Sequence, residues 1–188
     1  MKFLIGVVFG VVLVALGAAA VVYTGSFNTS ATVPPSRLEK RIATFALDKS
    51  VAKRAPARAN PLPATPETLR EGLREYRGHC LVCHGAPGVD TGPIGQGLNP
   101  GAPDLSLPRV QARTDGQLFW ITSEGIRMTG MPAFGPSQDE DEIWHIVAFL
   151  RHLPELSEEE VAQLKATPAP RASSAPAGAT PAPPPRPQ

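Results

Sequence analysis

The sequence is poor in residues that bind metals or form cross-links. Only two of its 188 residues are cysteine and only four are histidine. A structural zinc site normally takes four Cys or His ligands. Both cysteines, Cys80 and Cys83, lie in one short segment, and the adjacent His79 is at no usual zinc-ligand spacing. These absences argue against a zinc site.

Net charge is also nearly absent, at +1 overall, but the charges are unevenly distributed. Residues 24–65 contain seven basic and two acidic residues, a net charge of +5. Residues 66–165 contain eight basic and fifteen acidic residues, a net charge of −7. Because an acidic domain repels phosphates, we do not expect nucleic acid as its partner. We expect a protein partner with a basic docking face.

The 22 prolines are concentrated in residues 34–66 and 168–187. Residues 66–165 between them have ordinary globular composition, and about 100 residues suffice for one small core. The tail, residues 166–188, contains eight prolines and seven alanines. It cannot bury a core, so we expect it to be disordered.

The most informative stretch is Cys80-Leu81-Val82-Cys83-His84. The spacing C-x-x-C-H is typical of c-type haem attachment. In that chemistry both thiols become thioethers with the haem vinyl groups, and the histidine becomes the proximal ligand of the iron. A thioredoxin-like redox pair would instead follow a strand and open a helix, whereas a helical pattern precedes this pair.

The N-terminus carries a long apolar run. Residues 3–23 contain no charge and are long enough to span a bilayer as a helix. Lys2 supplies a small positive flank. A cleaved signal peptide is the competing interpretation, with Ala18-Ala19-Ala20 as its cleavage site. Either alternative exports the rest of the chain.

Residues 24–65 read as a basic, proline-containing linker. Ser36 is a candidate cap for a short helix over about 37–53 with a narrow apolar face. That helix is either a solvated part of the linker or a helix in contact with the membrane surface or the domain. Residues 54–66 contain four prolines and predict a semi-extended spacer. Such a linker would let the domain swing between membrane partners.

Cap signals divide residues 66–165 into helices and loops. Thr65 with Pro66 predicts the start of a first helix that ends at Gly78. The glycine-rich residues 85–113 predict a loop wrapped round a prosthetic group. Two S/T-x-x-E/Q patterns, Thr114 with Gln117 and Ser137 with Glu140, predict the starts of a short helix closed by Gly125 and of a last helix that reaches Leu153.

Taken together, these segments resemble a class I c-type cytochrome of the bacterial membrane-anchored type over residues 66–155. The resemblance rests on CLVCH, the glycine-rich loop, LFWITSEGI, GMPAFG and IWHIVAFLRHL. It implies an all-α chain: a small class I cytochrome c fold with crossed N- and C-terminal helices around haem, after one N-terminal transmembrane helix. Gly72 and Tyr76 match the crossing positions on the first helix, and Ile146 and Phe149 match those on the last.

The resemblance also implies the ligands. Beside His84, it implies Met131 of Gly130-Met131-Pro132 as the second axial ligand, with Met128, His145 and His152 as rivals. The family holds the proximal imidazole with a proline carbonyl, for which Pro93 is the best match. Further candidate contacts with the haem propionates are Arg109, Arg113 and Trp120. For the two arginines, the alternative is a position in a solvated loop.

An iron saturated by His84 and Met131 implies electron transfer and not an enzyme, because no site remains open for substrate. We therefore expect one covalent haem c in a membrane-tethered, periplasmic cytochrome of the bacterial inner membrane. It would carry single electrons between protein partners of a respiratory or dehydrogenase chain. The alternatives are a haem-containing subunit of an oxidase or dehydrogenase complex, and a haem ligand-binding sensor or enzyme.

Overall fold

The computed structural model describes residues 2–166. Within that range the chain forms helices and turns but no strand, which confirms the prediction of an all-α chain. The helices in chain order are α1 (Lys2–Tyr23), α2 (Arg37–Arg54), α3 (Pro66–His79), α4 (Leu81–His84), α5 (Pro93–Gln96), α6 (Pro108–Gln111), α7 (Asp115–Glu124), α8 (Glu140–His152) and α9 (Glu158–Lys165). The tail predicted to be disordered lies outside the described residues, except for Ala166.

Helix α1 is the one helix among residues 2–166 that is long and apolar enough to cross a membrane. It has 22 residues and no buried residue. A helix that is apolar on every side and buries no residue against the described part of the chain has the character of a membrane segment or a signal sequence.

Helices α3 and α8 form the centre of the domain and cross in close contact. Gly72 makes the crossing possible: a Cβ atom there would lie against the carbonyl oxygen of His145 and 2.7 Å from the Cβ of Phe149. One turn later, the rings of Tyr76 and Phe149 pack with their centroids 5.4 Å apart. The residues expected at the crossing therefore lie there, and Ile146 is fully buried beside them.

The core extends from this crossing to the neighbouring helices. Trp144 of α8 is fully buried and stacks on Phe119 of α7, with ring centroids 4.3 Å apart. Helix α9 packs through Leu164, and His152 Nε2 lies 2.9 Å from a carboxylate oxygen of Glu160. Helix α9 is not among the helices predicted from the sequence, although Ser157 and Glu160 form a capping box at its start.

The predicted spacer is wrong for residues 56–62, which pack on the domain. The Arg58 guanidinium lies over the Trp144 ring, 4.9 Å from its centroid, and pairs with Glu140. Asn60 donates from its backbone to Asp115 (2.9 Å) and from Nδ2 to the Trp144 carbonyl (2.9 Å). A segment held in this way cannot act as a free leash.

Most of the predicted caps are present. Ser36 and Thr114 both form capping boxes, Thr65 caps α3 with Pro66 in its first turn, and Gly125 ends α7. The predicted box at Ser137 is wrong, because α8 is capped two residues later by Asp139 and Glu142. Helix α3 continues one residue past Gly78, to His79, and the predicted loop 85–113 contains the single-turn helices α5 and α6.

Candidate haem site

The C-x-x-C-H motif lies directly after the helix crossing. Cys80 joins α3 to the single turn α4, and its backbone N–H donates to Tyr76 in α3 (2.8 Å). The Tyr76 hydroxyl donates to the carbonyl oxygen of Gly85, 2.5 Å away, on the far side of the motif. The same tyrosine that packs on α8 therefore holds both ends of the motif.

The two thiols are free and differ in exposure. Cys80 is buried and Cys83 is half-buried. Burial raises the pKa of the Cys80 thiol to about 12, and the nearby Glu75 carboxylate adds to this effect. Dithiol oxidoreductases instead lower the pKa of their attacking thiol. The structure therefore argues against a thioredoxin-like redox pair.

His84 is oriented by the backbone of the following loop. Its Nδ1 lies 2.8 Å from the carbonyl oxygen of Pro103. A carbonyl only accepts, so Nδ1 carries the proton and the lone pair of Nε2 is left for a metal. Burial lowers the pKa of the imidazole despite the opposing effect of this hydrogen bond. His84 is thus a neutral imidazole of the kind that ligates haem iron.

The expectation that Pro93 supplies this carbonyl is wrong, since Pro103 does so. Pro93 instead begins α5, a single turn that packs against α4 of the motif. Gly95 of α5 lies so close that a Cβ atom there would be 2.6 Å from the Cys83 carbonyl oxygen. Next to it, the Ile94 side chain is 63% exposed, and so is much of Val82 between the cysteines.

The two candidate methionines are placed differently. Met131 is half-buried, and its backbone is fixed on both sides: its N–H donates to the Thr129 hydroxyl (3.1 Å), and its carbonyl accepts from Ile126 (3.1 Å). Met128 is 92% exposed and has a positive φ of 61°. Both side chains carry a thioether that can ligate iron, and the fixed backbone of Met131 favours Met131 as the ligand.

The rival histidines of α8 have other contacts. His145 Nδ1 lies 2.8 Å from the Asp141 carbonyl, and His152 contacts Glu160 as described above. Both rings are therefore engaged within α8 or with α9.

Of the three candidate haem contacts, Arg113 has a different partner. Its guanidinium pairs with Asp48 of α2 at 2.6 Å, so it joins α2 to the domain instead of standing free for a propionate. Arg109 is exposed in α6, and Trp120 is half-buried in α7. Their contacts with haem stay predictions.

These residues fit a covalently attached haem. Two adjacent free thiols, a neutral imidazole with an available Nε2 and a thioether are the donor set of a His/Met cytochrome c. The partly exposed Val82 and Ile94 beside the sulfurs provide apolar surface for a porphyrin to cover. In the described part of the chain, no three His, Cys, Asp or Glu side chains are grouped to hold a metal ion by themselves.

Comparison with known families agrees with this geometry. A family model described as "Cytochrome C oxidase, cbb3-type, subunit III" matches residues 67–150, from the first turn of α3 into α8. No curated protein matches the chain. The matched part contains the crossed helices and the complete C-x-x-C-H motif. Residues 67–150 therefore form a c-type cytochrome domain of the all-α class I fold, which implies covalently bound haem iron and an electron-transfer role.

Proposed function

We propose that the protein is a membrane-tethered, periplasmic cytochrome c with one haem, which carries single electrons between respiratory or dehydrogenase partners. The observation that carries the proposal is the state of His84: a neutral imidazole, oriented by Pro103, directly after two free thiols. This is the arrangement that a proximal haem ligand requires.

When bound, haem supplies a ferrous/ferric couple. The chain's own residues determine how that couple is used. Cys80 and Cys83 hold the group on an exported protein, and Pro103 fixes the ring plane of His84. Met131 would supply the second protein ligand to the iron, and a Met/His ligand pair would raise the reduction potential of the haem. An iron held by both His84 and Met131 would leave no coordination site for a substrate, which favours a carrier over an enzyme.

Helix α1 supports attachment to the inner membrane. Because haem is attached to c-type cytochromes outside the cytoplasm, the haem motif supports a periplasmic position for residues 24–188. We divide the chain into an anchor (1–23), a linker (24–65), the haem domain (66–165) and a tail (166–188). Residues 56–62 of the linker pack on the haem domain. An intact anchor predicts a purified protein that begins at residue 1 or 2. A mature start at Val21 would instead indicate a cleaved signal.

A second candidate function is a haem-bearing subunit of a larger oxidase or dehydrogenase complex. The description of the matching family model favours it, since that family is a subunit of a cbb3-type oxidase. Purification in mild detergent separates the two candidates. A free carrier elutes alone, whereas a complex subunit co-elutes with the same partners at fixed stoichiometry.

Replacement of the candidate ligands tests the proposal. Met131→Ala should abolish the weak near-infrared sulfur-to-iron band of the ferric protein, and the matched Met128→Ala variant should keep it. The unaltered reduced protein should not bind carbon monoxide, because Met131 occupies the sixth position. Loss of the band in Met128→Ala alone would transfer the role to Met128, and avid carbon monoxide binding would favour a sensor or an enzyme.

A further inference from the structure

Helix α2 packs on the haem domain with one side of its C-terminal half. Val51 is fully buried and Leu47 is half-buried. Asp48 on the same half forms the ion pair with Arg113. Pro56, two residues after the end of α2, lies against Gly116 of α7. A Cβ atom added to Gly116 would clash with the Pro56 carbonyl. The C-terminal half of α2 is therefore part of the domain surface.

The opposite side of α2 is an uncovered apolar stripe of Leu38, Ile42 and Phe45. These side chains are 68%, 60% and 64% exposed. At about 100° per residue they lie within about 60° of one another, and Phe45 points about 160° away from Leu47. One helix thus presents an apolar stripe on the side that faces away from its docked side.

Charge and chain connection indicate what covers the stripe. Helix α2 contains six basic and two acidic residues, whereas residues 66–165 have a net charge of −7. Lys49 lies next to the stripe, with its Nζ 5.5 Å from the centre of the Phe45 ring. An apolar stripe flanked by lysine and arginine is typical of a helix that lies in the interface of an anionic bilayer.

The chain before α2 is short. The Val33 carbonyl accepts a hydrogen bond from Asn99 Nδ2 of the domain (2.6 Å). Only residues 24–32 then separate α1 from the first contact with the domain, and nine residues extend at most about 32 Å. Phe27 within this segment is also exposed and apolar. If α1 spans the bilayer, α2 is therefore held near its surface.

We propose that α2 lies on the surface of an anionic membrane, with Leu38, Ile42 and Phe45 in the lipid and the haem domain docked on its other side. This inference rests on the proposed anchoring by α1. It gives the haem domain one preferred orientation at the bilayer instead of a free swing. The membrane is thus the chemical partner of the stripe, and the basic residues of α2 separate the acidic domain from anionic headgroups.

Thiol accessibility in the full-length haem protein tests the proposal. Three single variants are placed one per nanodisc: Phe45→Cys in the stripe, Ala43→Cys as the matched control, and Leu13→Cys in the anchor. Ala43 is exposed and lies about 160° round the helix from Phe45. The rate of modification by a water-soluble maleimide is divided by the rate for the same variant unfolded in urea.

In discs that contain phosphatidylglycerol, Phe45→Cys should react at least about tenfold more slowly than Ala43→Cys. The protection should weaken in phosphatidylcholine alone and in high salt. Equal rates at both positions, with Leu13→Cys protected, would overturn the surface helix and leave the anchor intact. A reactive Leu13→Cys would overturn both. Protection of Phe45→Cys only in discs that hold two copies would identify a second chain as the occupant.

Discussion

The helix crossing makes a specific prediction for Gly72→Ala. In the structure the added methyl group would lie against the His145 carbonyl and 2.7 Å from the Phe149 Cβ. Both neighbours belong to the backbone or the first side-chain atom of α8, so neither can rotate away. The two helices must move apart, although Tyr76 and Phe149 hold them together one turn away.

The expected magnitude follows from two opposing effects. Overpacking of a close contact typically costs about 1–3 kcal/mol. Replacement of a mid-helix glycine by alanine recovers up to about 1 kcal/mol. Gly78→Ala is the matched control, since Gly78 is an exposed residue of the same helix. Gly78 lies in the last turn of α3, so alanine there recovers no more helix-propensity free energy than alanine at Gly72. The two variants should therefore differ by at most the overpacking cost, about 1–3 kcal/mol.

Denaturant unfolding of the haem-loaded protein, followed by far-ultraviolet circular dichroism, measures this difference. Gly72→Ala should unfold at lower denaturant concentration than wild type, and Gly78→Ala at an equal or higher one. The Soret band of both variants in buffer should match that of wild type, which shows that haem is still ligated. If Gly72→Ala were as stable as Gly78→Ala, the close crossing of α3 and α8 would be refuted.

Two further predictions concern the contacts of residues 56–62. Asn60→Ala removes the hydrogen bonds of the side chain to Trp144 and Leu62, and should lower the free energy of unfolding by about 1–3 kcal/mol. The control variant Asn28→Ala changes an exposed residue and should alter the free energy of unfolding by less than about 0.5 kcal/mol. Equal effects of the two variants would mean that residues 56–62 are not docked on the domain. For Asp115, burial raises the pKa, but hydrogen bonds from Asn60 and Arg151 outweigh it and hold the pKa below its ordinary value. The carboxylate therefore stabilises the fold above about pH 3.9, and this stability is lost as the pH falls through the folded-state pKa. Asp115→Asn should be less stable than wild type at pH 7, and the gap in urea midpoints should close in acid; a constant gap would contradict the assignment.

Local signals made much of the fold predictable. Caps such as Thr114 with Gln117 act within one turn, so sequence spacing alone identifies them. The Ser137 prediction failed for a local reason too: residues 137–142 contain two overlapping capping patterns, and Asp139 with Glu142 forms the cap. The Ser137 backbone N–H instead donates to Phe134 and closes a turn before the helix. The capping box of Ser157 with Glu160, which begins α9, is a local pattern of the same kind and identifies this helix from sequence spacing alone.

Contacts between distant parts of the chain were not predictable in the same way. Pro93 and Pro103 are both prolines of the loop that follows the motif, so the sequence does not distinguish them. Only the path of the loop brings the Pro103 carbonyl to His84. Likewise, proline content favoured an extended spacer for residues 54–66. The docking of that segment depends on Arg58 reaching Trp144, a residue 86 positions later that is itself placed by the helix crossing.

Covalent attachment of haem to Cys80 and Cys83 is tested by the mass of the denatured chain. After acid–acetone extraction, the chain should retain the added mass of one haem and give a c-type pyridine haemochrome. A tryptic peptide that contains both cysteines should carry that mass. Cys80→Ser with Cys83→Ser should lose it. A chain that gives up all its haem to acid–acetone, with two free thiols left, would contradict the account.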